Sequence, residues 1–111
     1  MSLREQILSA KDSSFESVEV PEWKTTVYVH VLTSGEFEVF LADHQSRSNL
    51  NQDFRPRLVL ACVRDENGEA IFNTLEEVNS KSHRVIKRLA TIATKINHFL
   101  DDDIEELKKN S

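Results

Sequence analysis

Apolar and polar residues alternate along this chain in two distinct rhythms. Leu3, Ile7 and Leu8 share one face of a helix predicted from Ser2 to Ala10. Ser2 and Glu5 have capping-box spacing, which satisfies two orphan amide donors reciprocally. Residues 18 to 32 follow a period of two and predict a β-hairpin. Val18-Glu19-Val20 is one arm, Pro21-Glu22-Trp23-Lys24 the turn, and Thr26 to Val31 the other arm. Val27, Val29 and Val31 fall on one face, Tyr28 and His30 on the other. A lone hairpin is marginal in water, so helices have to cover the valine face.

The helical rhythm returns after the hairpin. Thr33 and Glu36 form a second capping box, opening a helix that runs to Ala42 or His44. Phe37, Phe40, Leu41 and His44 sit at i, i+3, i+4 and i+7. Gln45 to Asp53 is polar and reads as a loop. A further helix is predicted near Pro56, since proline is tolerated in a first turn. The run Leu58 to Val63 fits a helix or a short buried strand, and its pattern leaves both open. Asn67-Gly68 marks a tight turn that would join short strands at Ala61–Arg64 and Ala70–Phe72.

Thr74 and Glu77 give a third capping box and a short helix. A long helix follows over about residues 81–100, where Val85, Leu89, Ile92, Ile96 and Phe99 step by four and three. Ile86, Ala93 and Leu100 widen that stripe into a core-facing face. Asp101-Asp102-Asp103 breaks the pattern and caps a predicted short acidic helix at about 102–109. Its acids lie at the positive end, and Lys108 and Lys109 at the negative end, as the helix dipole prefers. The fold class is therefore α+β: a mostly helical single domain with one small antiparallel β-hairpin.

Composition narrows the function. Val, Ile, Leu and Phe supply 33 of 111 residues, well above the fifth or so below which chains stay disordered. Two glycines are too few for a phosphate-binding loop or a dinucleotide fingerprint. One cysteine, Cys62, excludes an internal disulfide and a multi-cysteine zinc site, and fits a reducing, cytoplasmic setting. The 14 basic and 19 acidic residues leave a net charge of −5, which argues against broad nucleic-acid binding. The longest apolar run, Leu58 to Val63, is far short of the roughly 20 residues a membrane span needs. The opening Met-Ser-Leu-Arg-Glu-Gln has no apolar signal core.

The candidate chemistry is sparse. His30, His44, His83 and His98 lack the i, i+3 or i, i+4 spacing of metal ligands on one helix. Cys62 lies in an apolar run and reads as a small buried hydrophobe rather than a nucleophile. The triple aspartate lacks the alternating ligands and glycine turn of a Ca²⁺ loop. Asp65 to Glu69 carries only part of such a pattern and reads as a turn. No catalytic residues, cofactor or metal site are assigned.

Two features point to a partner. Lys81, Arg84, Arg88 and Lys95 flank the apolar stripe of the long helix, and no acid interrupts residues 81 to 100. They read either as a docking ridge for an acidic partner or as a solvated flank whose aliphatic stems cover the core edge. The acids of 101–106 on another copy would complement the ridge, which makes self-association a further expectation. Trp23, the sole tryptophan, sits at the hairpin tip. It reads equally as a binding hot spot or as cover for a small hairpin. Trp23, Arg84, Arg88 and Lys95 are the partner-binding candidates.

A resemblance adds what this chemistry does not. Val18-Glu19-Val20-Pro21-Glu22-Trp23, followed by Thr26-Val27-Tyr28-Val29 and Leu32-Thr33-Ser34-Gly35-Glu36, resembles the N-terminal half of tail assembly chaperones of long-tailed (siphovirus-type) bacteriophages and prophages. Leu3 to Leu8 fits the same pattern. So do Arg57 to Val63 with Asp65-Glu66-Asn67-Gly68 and Ile71-Phe72, and a closing helix with Arg88-Leu89 and Ile96-Asn97 before an acidic segment. The Val-Pro-Glu-Trp hairpin with its Tyr-Val strand is the most specific piece. Two positions depart: Lys24 stands where the resemblance leads one to expect glycine, and His30 where it leads one to expect arginine.

The resemblance implies a chaperone that acts in the host cytoplasm during tail morphogenesis and is absent from the mature virion. It implies binding to the tape measure protein, a very long helical chain with apolar stripes, and recruitment of the major tail protein. It also implies a homo-oligomer, accompanied in many phages by a frameshifted longer form, and no enzymatic activity. The alternative is a structural tail or connector component of the virion. A small regulatory or antitoxin-like protein, touching nucleic acid through the basic ridge, is a third reading that the net charge disfavours.

Overall fold

The computed structural model describes residues 2–45 and 53–99. Among these, five helices surround a three-stranded antiparallel sheet of order β1-β2-β3. The elements are α1 (Leu3–Ser9), β1 (Phe15–Val20), β2 (Thr25–His30), α2 (Ser34–Gln45), α3 (Phe54–Cys62), β3 (Val63–Arg64), α4 (Leu75–Asn79) and α5 (His83–Ile96). The α+β class is therefore observed.

The hairpin pairs Val18 with Val27 and Val20 with Thr25. Val20, Val27 and Val29 are buried on its inner face, while Val31 is half-buried beyond the strand end. The first arm starts at Phe15, three residues before the alternation becomes visible. Glu16 and Ser17 mask it in the sequence, but Phe15 lies opposite His30 and stacks on it at 5.2 Å. The turn is a short 3₁₀ segment, Pro21–Trp23, closed by Lys24 in the left-handed region at φ 54°. That conformation is the physical reason a glycine would suit position 24.

The helices cover the valine face. Val85, Leu89 and Ala93 of α5 are fully buried, as are Leu58, Val59 and Cys62 of α3 and Val78 of α4. The 58–63 run resolves as helix as far as Cys62, with Leu58, Val59 and Cys62 turned into the core. Val63 then enters the sheet opposite Val29. Of the two short strands expected around Asn67-Gly68, only Val63–Arg64 forms as a strand. The return side is reduced to a bridge between Arg64 and Ala70. Pro56 occupies the third position of α3, where its missing N–H would have had no partner within the helix.

All three capping boxes lie at helix starts, though not all close reciprocally. Thr33 accepts from the Glu36 N–H and Glu36 accepts from the Thr33 N–H, at 3.2 and 2.9 Å. Thr74 and Glu77 form the same reciprocal box ahead of α4. At α1 the Ser2 hydroxyl caps the Glu5 N–H at 3.1 Å. The long helix is shorter than its sequence pattern: it runs from 83 to 96 rather than 81 to 100. Lys81 belongs to the turn after α4, where its N–H is bonded to the Val78 carbonyl. At the other end Asn97 caps α5 and His98 adopts a left-handed φ of 56°, so Phe99 leaves the helical path. The loop expected over 45–53 lies largely outside the described residues, as do Leu100 and the short acidic helix expected at 102–109.

Candidate partner-binding groove

Two helices present facing stripes with nothing of the described chain between them. On α2 the stripe is Glu36, Val39, Phe40 and Asp43, spaced i, i+3, i+4, i+7. Across from it stand Arg57, Leu60 and Ala61 of α3, with Arg64 just beyond. The space between them has a volume of about 660 Å³. Its middle is apolar and its ends are charged. Arg64 reaches across to Glu36 at 2.9 Å, and Arg57 reaches across to Asp43. Val39 lines this apolar strip and is 70% exposed.

The reciprocal cap at Thr33 fixes where α2 starts and therefore which of its residues face α3. Glu36 is held by that cap: the Thr33 N–H, and then Arg64, keep its carboxyl below the usual carboxylate range. Arg57 is the unusual member. It is buried, at 4% exposure, and its Nη1 donates to Asp43. Its Nε and Nη2 are also buried and have no hydrogen-bond partner among the described residues. A buried guanidinium with free donors is costly unless an acceptor reaches it.

The sequence candidates lie elsewhere. Trp23 is half-buried, packed against the core and edge-on to Phe72 at 6.0 Å. Arg88 is exposed and donates two bonds to Glu22, at 3.1 and 2.8 Å. The pair holds the Glu22 carboxyl below its usual range and ties the hairpin tip to α5. Arg84 and Lys95 are exposed on α5. Arg84, Lys87 and Arg88, with Thr91 and Ile92, border a second, shallower depression. The structure thus brings Arg88 close to the Trp23 turn, with Arg84 and Lys95 on the same helix.

Cys62 is fully buried, and burial pushes its thiol up to about 12. The imidazole of His30 is shifted below its ordinary value by burial and by Arg64. Among the described residues no group of three His, Cys, Asp or Glu is placed to hold a metal, and no helix is long and apolar enough to cross a membrane.

Sequence reasoning missed the groove. The 36/39/40/43 spacing was available, but Phe37, Phe40 and Leu41 made a stronger core stripe on the same helix. Arg57, standing at the head of an apolar run, was the other available signal. A third exposed feature was legible but unplaced: Leu3, Ile7 and Leu8 share a face of α1, and all three are exposed, at 71%, 63% and 68%.

No protein-family model matches the chain, and no curated protein matches it in sequence. Among solved structures, it is similar to the tail assembly chaperone of bacteriophage HK97. The TM-score is 0.60 at 20% identity, covering 83% of this chain and 94% of that one. The chain therefore shares the fold of a phage tail assembly chaperone, as the sequence resemblance leads one to expect.

Proposed function

We propose that the chain is a tail assembly chaperone of a long-tailed bacteriophage or prophage, working in the host cytoplasm and not retained in the virion. It binds the tape measure protein, keeps it soluble and helps recruit the major tail protein. The shared fold with the HK97 chaperone over 83% of the chain carries this reading. Independently of that fold, the hairpin motif Val18 to Trp23 supports it.

The groove between α2 and α3 supplies a mode of contact. An amphipathic helix laid in a hydrophobic groove is read through its own anchors at i, i+3 or i+4 and i+7, and the apolar strip of Val39, Phe40, Leu60 and Ala61 is the surface that would receive them. A long helical client would offer many such segments, so weak single sites would add up through avidity. The basic flank Arg84, Arg88, Lys95 and the Trp23 turn form a second contact surface in this reading. Self-association, including association with a frameshifted longer form, is supported by the unpartnered apolar face of α1.

Co-expression with the long tape-measure-like protein encoded nearby tests the proposal. The expected result is that the long protein is soluble, and co-purifies, only when this chain is present. Indifference of the long protein overturns it. The alternative, a structural tail or connector component, predicts instead that the chain is found in purified particles by mass spectrometry.

A further inference from the structure

We infer that α1 of a second copy of this chain docks in the α2–α3 groove, with Leu3, Ile7 and Leu8 on its apolar floor and Arg4 at the Asp43 end.

Three observations converge on that occupant. The first is that α1 is a helix without a core. None of its residues is buried, although Leu3, Ile7 and Leu8 form one side of it. Helices of fewer than about 12 residues are marginal in water and owe their stability to the packing of an apolar face. The Ser2 cap, and the Ser9 hydroxyl bonded to the Glu5 carbonyl at 2.7 Å, satisfy backbone groups but cover no apolar surface.

The second is that the groove offers a matching surface. Val39, Phe40, Leu60 and Ala61 form its apolar strip, with Val39 standing exposed on it. Seven residues of helix rise about 10 Å, and so does the wall from Glu36 to Asp43. Within one chain the two surfaces do not meet. α1 leads through residues 10–14 into β1, and its apolar side chains remain in solvent.

The third is charge. At about 100° per residue, Arg4 falls between Ile7 and Leu8 on the apolar side of α1. A surface that covers this side must therefore also receive a guanidinium. α2 can do so: it carries Glu36, Glu38 and Asp43 and no lysine or arginine. Asp43 is bonded to Arg57, yet its side chain is 55% exposed, and a carboxylate has lone pairs for a second donor. The rival surface, the flank of α5, carries Arg84, Lys87, Arg88 and Lys95 and would repel Arg4. Packing α1 against α1 of another copy would set two Arg4 side chains into one apolar seam.

Each copy thus has one helix to give and one groove to receive, so the contact joins unlike surfaces. A seven-residue helix covers much less than the roughly 1,200 Å² of a stable interface, which makes the association weak and concentration-dependent. The docking does not rest on the tail-assembly reading. Only its consequence does: a client helix entering the groove would compete with α1.

Sedimentation velocity on the full chain, over a range of concentrations, tests the inference. The unsubstituted chain is expected to sediment faster as its concentration rises. Leu3→Asp with Ile7→Asp removes the anchors of the helix, and Val39→Asp places a charge on the groove floor. All three positions are exposed, and near-ultraviolet circular dichroism checks that the packing is unchanged. Each variant alone should sediment as a monomer at every concentration. Mixed together they should associate again, because one keeps an intact groove and the other an intact α1, and the product should stop at a one-to-one pair. An unsubstituted chain that stays monomeric overturns the inference, and so does either variant associating as the unsubstituted chain does. A mixture that stays monomeric also overturns it, because α1 and the groove would then not be the two halves of one contact. None of these outcomes involves the tape measure protein, so they are independent of the test of the proposed function.

Discussion

Asn97, at the end of α5, accepts the backbone N–H of Leu32 through its Oδ1 at 2.8 Å. The same side chain donates through Nδ2 to the carbonyls of Ala93 at 2.9 Å and His30 at 3.3 Å, and lies 3.8 Å from the Cys62 sulfur. One amide thus ties α5 to the end of β2, just before the chain turns into α2. That tie sets where α2 begins relative to the sheet, and so the placement of one wall of the groove.

Asn97→Ala leaves part-buried donors and acceptors without partners. The expected cost is about 1–3 kcal/mol of unfolding free energy, read as a lower urea midpoint. Asn97→Asp keeps an acceptor for Leu32 but turns a carboxylate oxygen toward the Ala93 and His30 carbonyls, so it should cost at least as much as Asn97→Ala. A midpoint for Asn97→Ala equal to that of the unsubstituted chain would contradict this account.

Lys24 and Gly68 form a natural pair of opposite tests. Lys24 holds a left-handed φ of 54° with a side chain that disfavours it. Lys24→Gly should stabilise by up to about 1 kcal/mol, the cost of a left-handed L-residue that glycine does not carry. Gly68 holds φ 82°, and an added Cβ would meet nothing within 4 Å. Gly68→Ala should therefore cost about 1 kcal/mol through backbone strain alone. Thermal melts of both variants check the signs.

The Cys62 thiol ionises in the unfolded chain near its ordinary 9.0 but is pushed up to about 12 by burial in the fold. The native state therefore keeps a proton that the unfolded state gives up. Its contribution to stability is complete below pH 9 and declines as pH rises from there toward 12. Below pH 9 the native thiol should resist a thiol reagent until denaturant is added. Rapid native-state modification would show that the site is open.

Val39 and Leu58 separate binding from folding. Val39→Asp changes an exposed side chain and should alter stability by only about 0.5 kcal/mol, yet it places a charge on the groove floor. Under the proposed function, the tape measure protein should then no longer be retained in a co-purification. Leu58→Ala removes a fully buried side chain and should cost about 2–5 kcal/mol. A Val39→Asp chain that folds and still retains the client would move the contact surface away from the groove.

Local signals were legible because they depend on neighbours in sequence. The hydroxyls of Thr33 and Thr74 stand three residues before the carboxylates of Glu36 and Glu77, so their caps could be read directly. So could the alternation around Val27 and Val29. Arg88 is different: its charge was visible, but its bond to Glu22, 66 residues away, was not. Trp23 carried two readings that sequence alone left equal, and its contact with Phe72 is a product of the fold.

By itself the sequence determined most element types, most of the core stripe on α5 and the family resemblance, because periodicity and capping act over a few residues of chain. Only the tertiary structure decided that Leu58 to Cys62 is helix and that Asn97 clamps α5 to the sheet. It also decided that the second stripe of α2 faces Arg57 across an open groove. Those outcomes depend on which surfaces meet after the chain turns at residues far apart in sequence, and no local pattern encodes the distance between two helices.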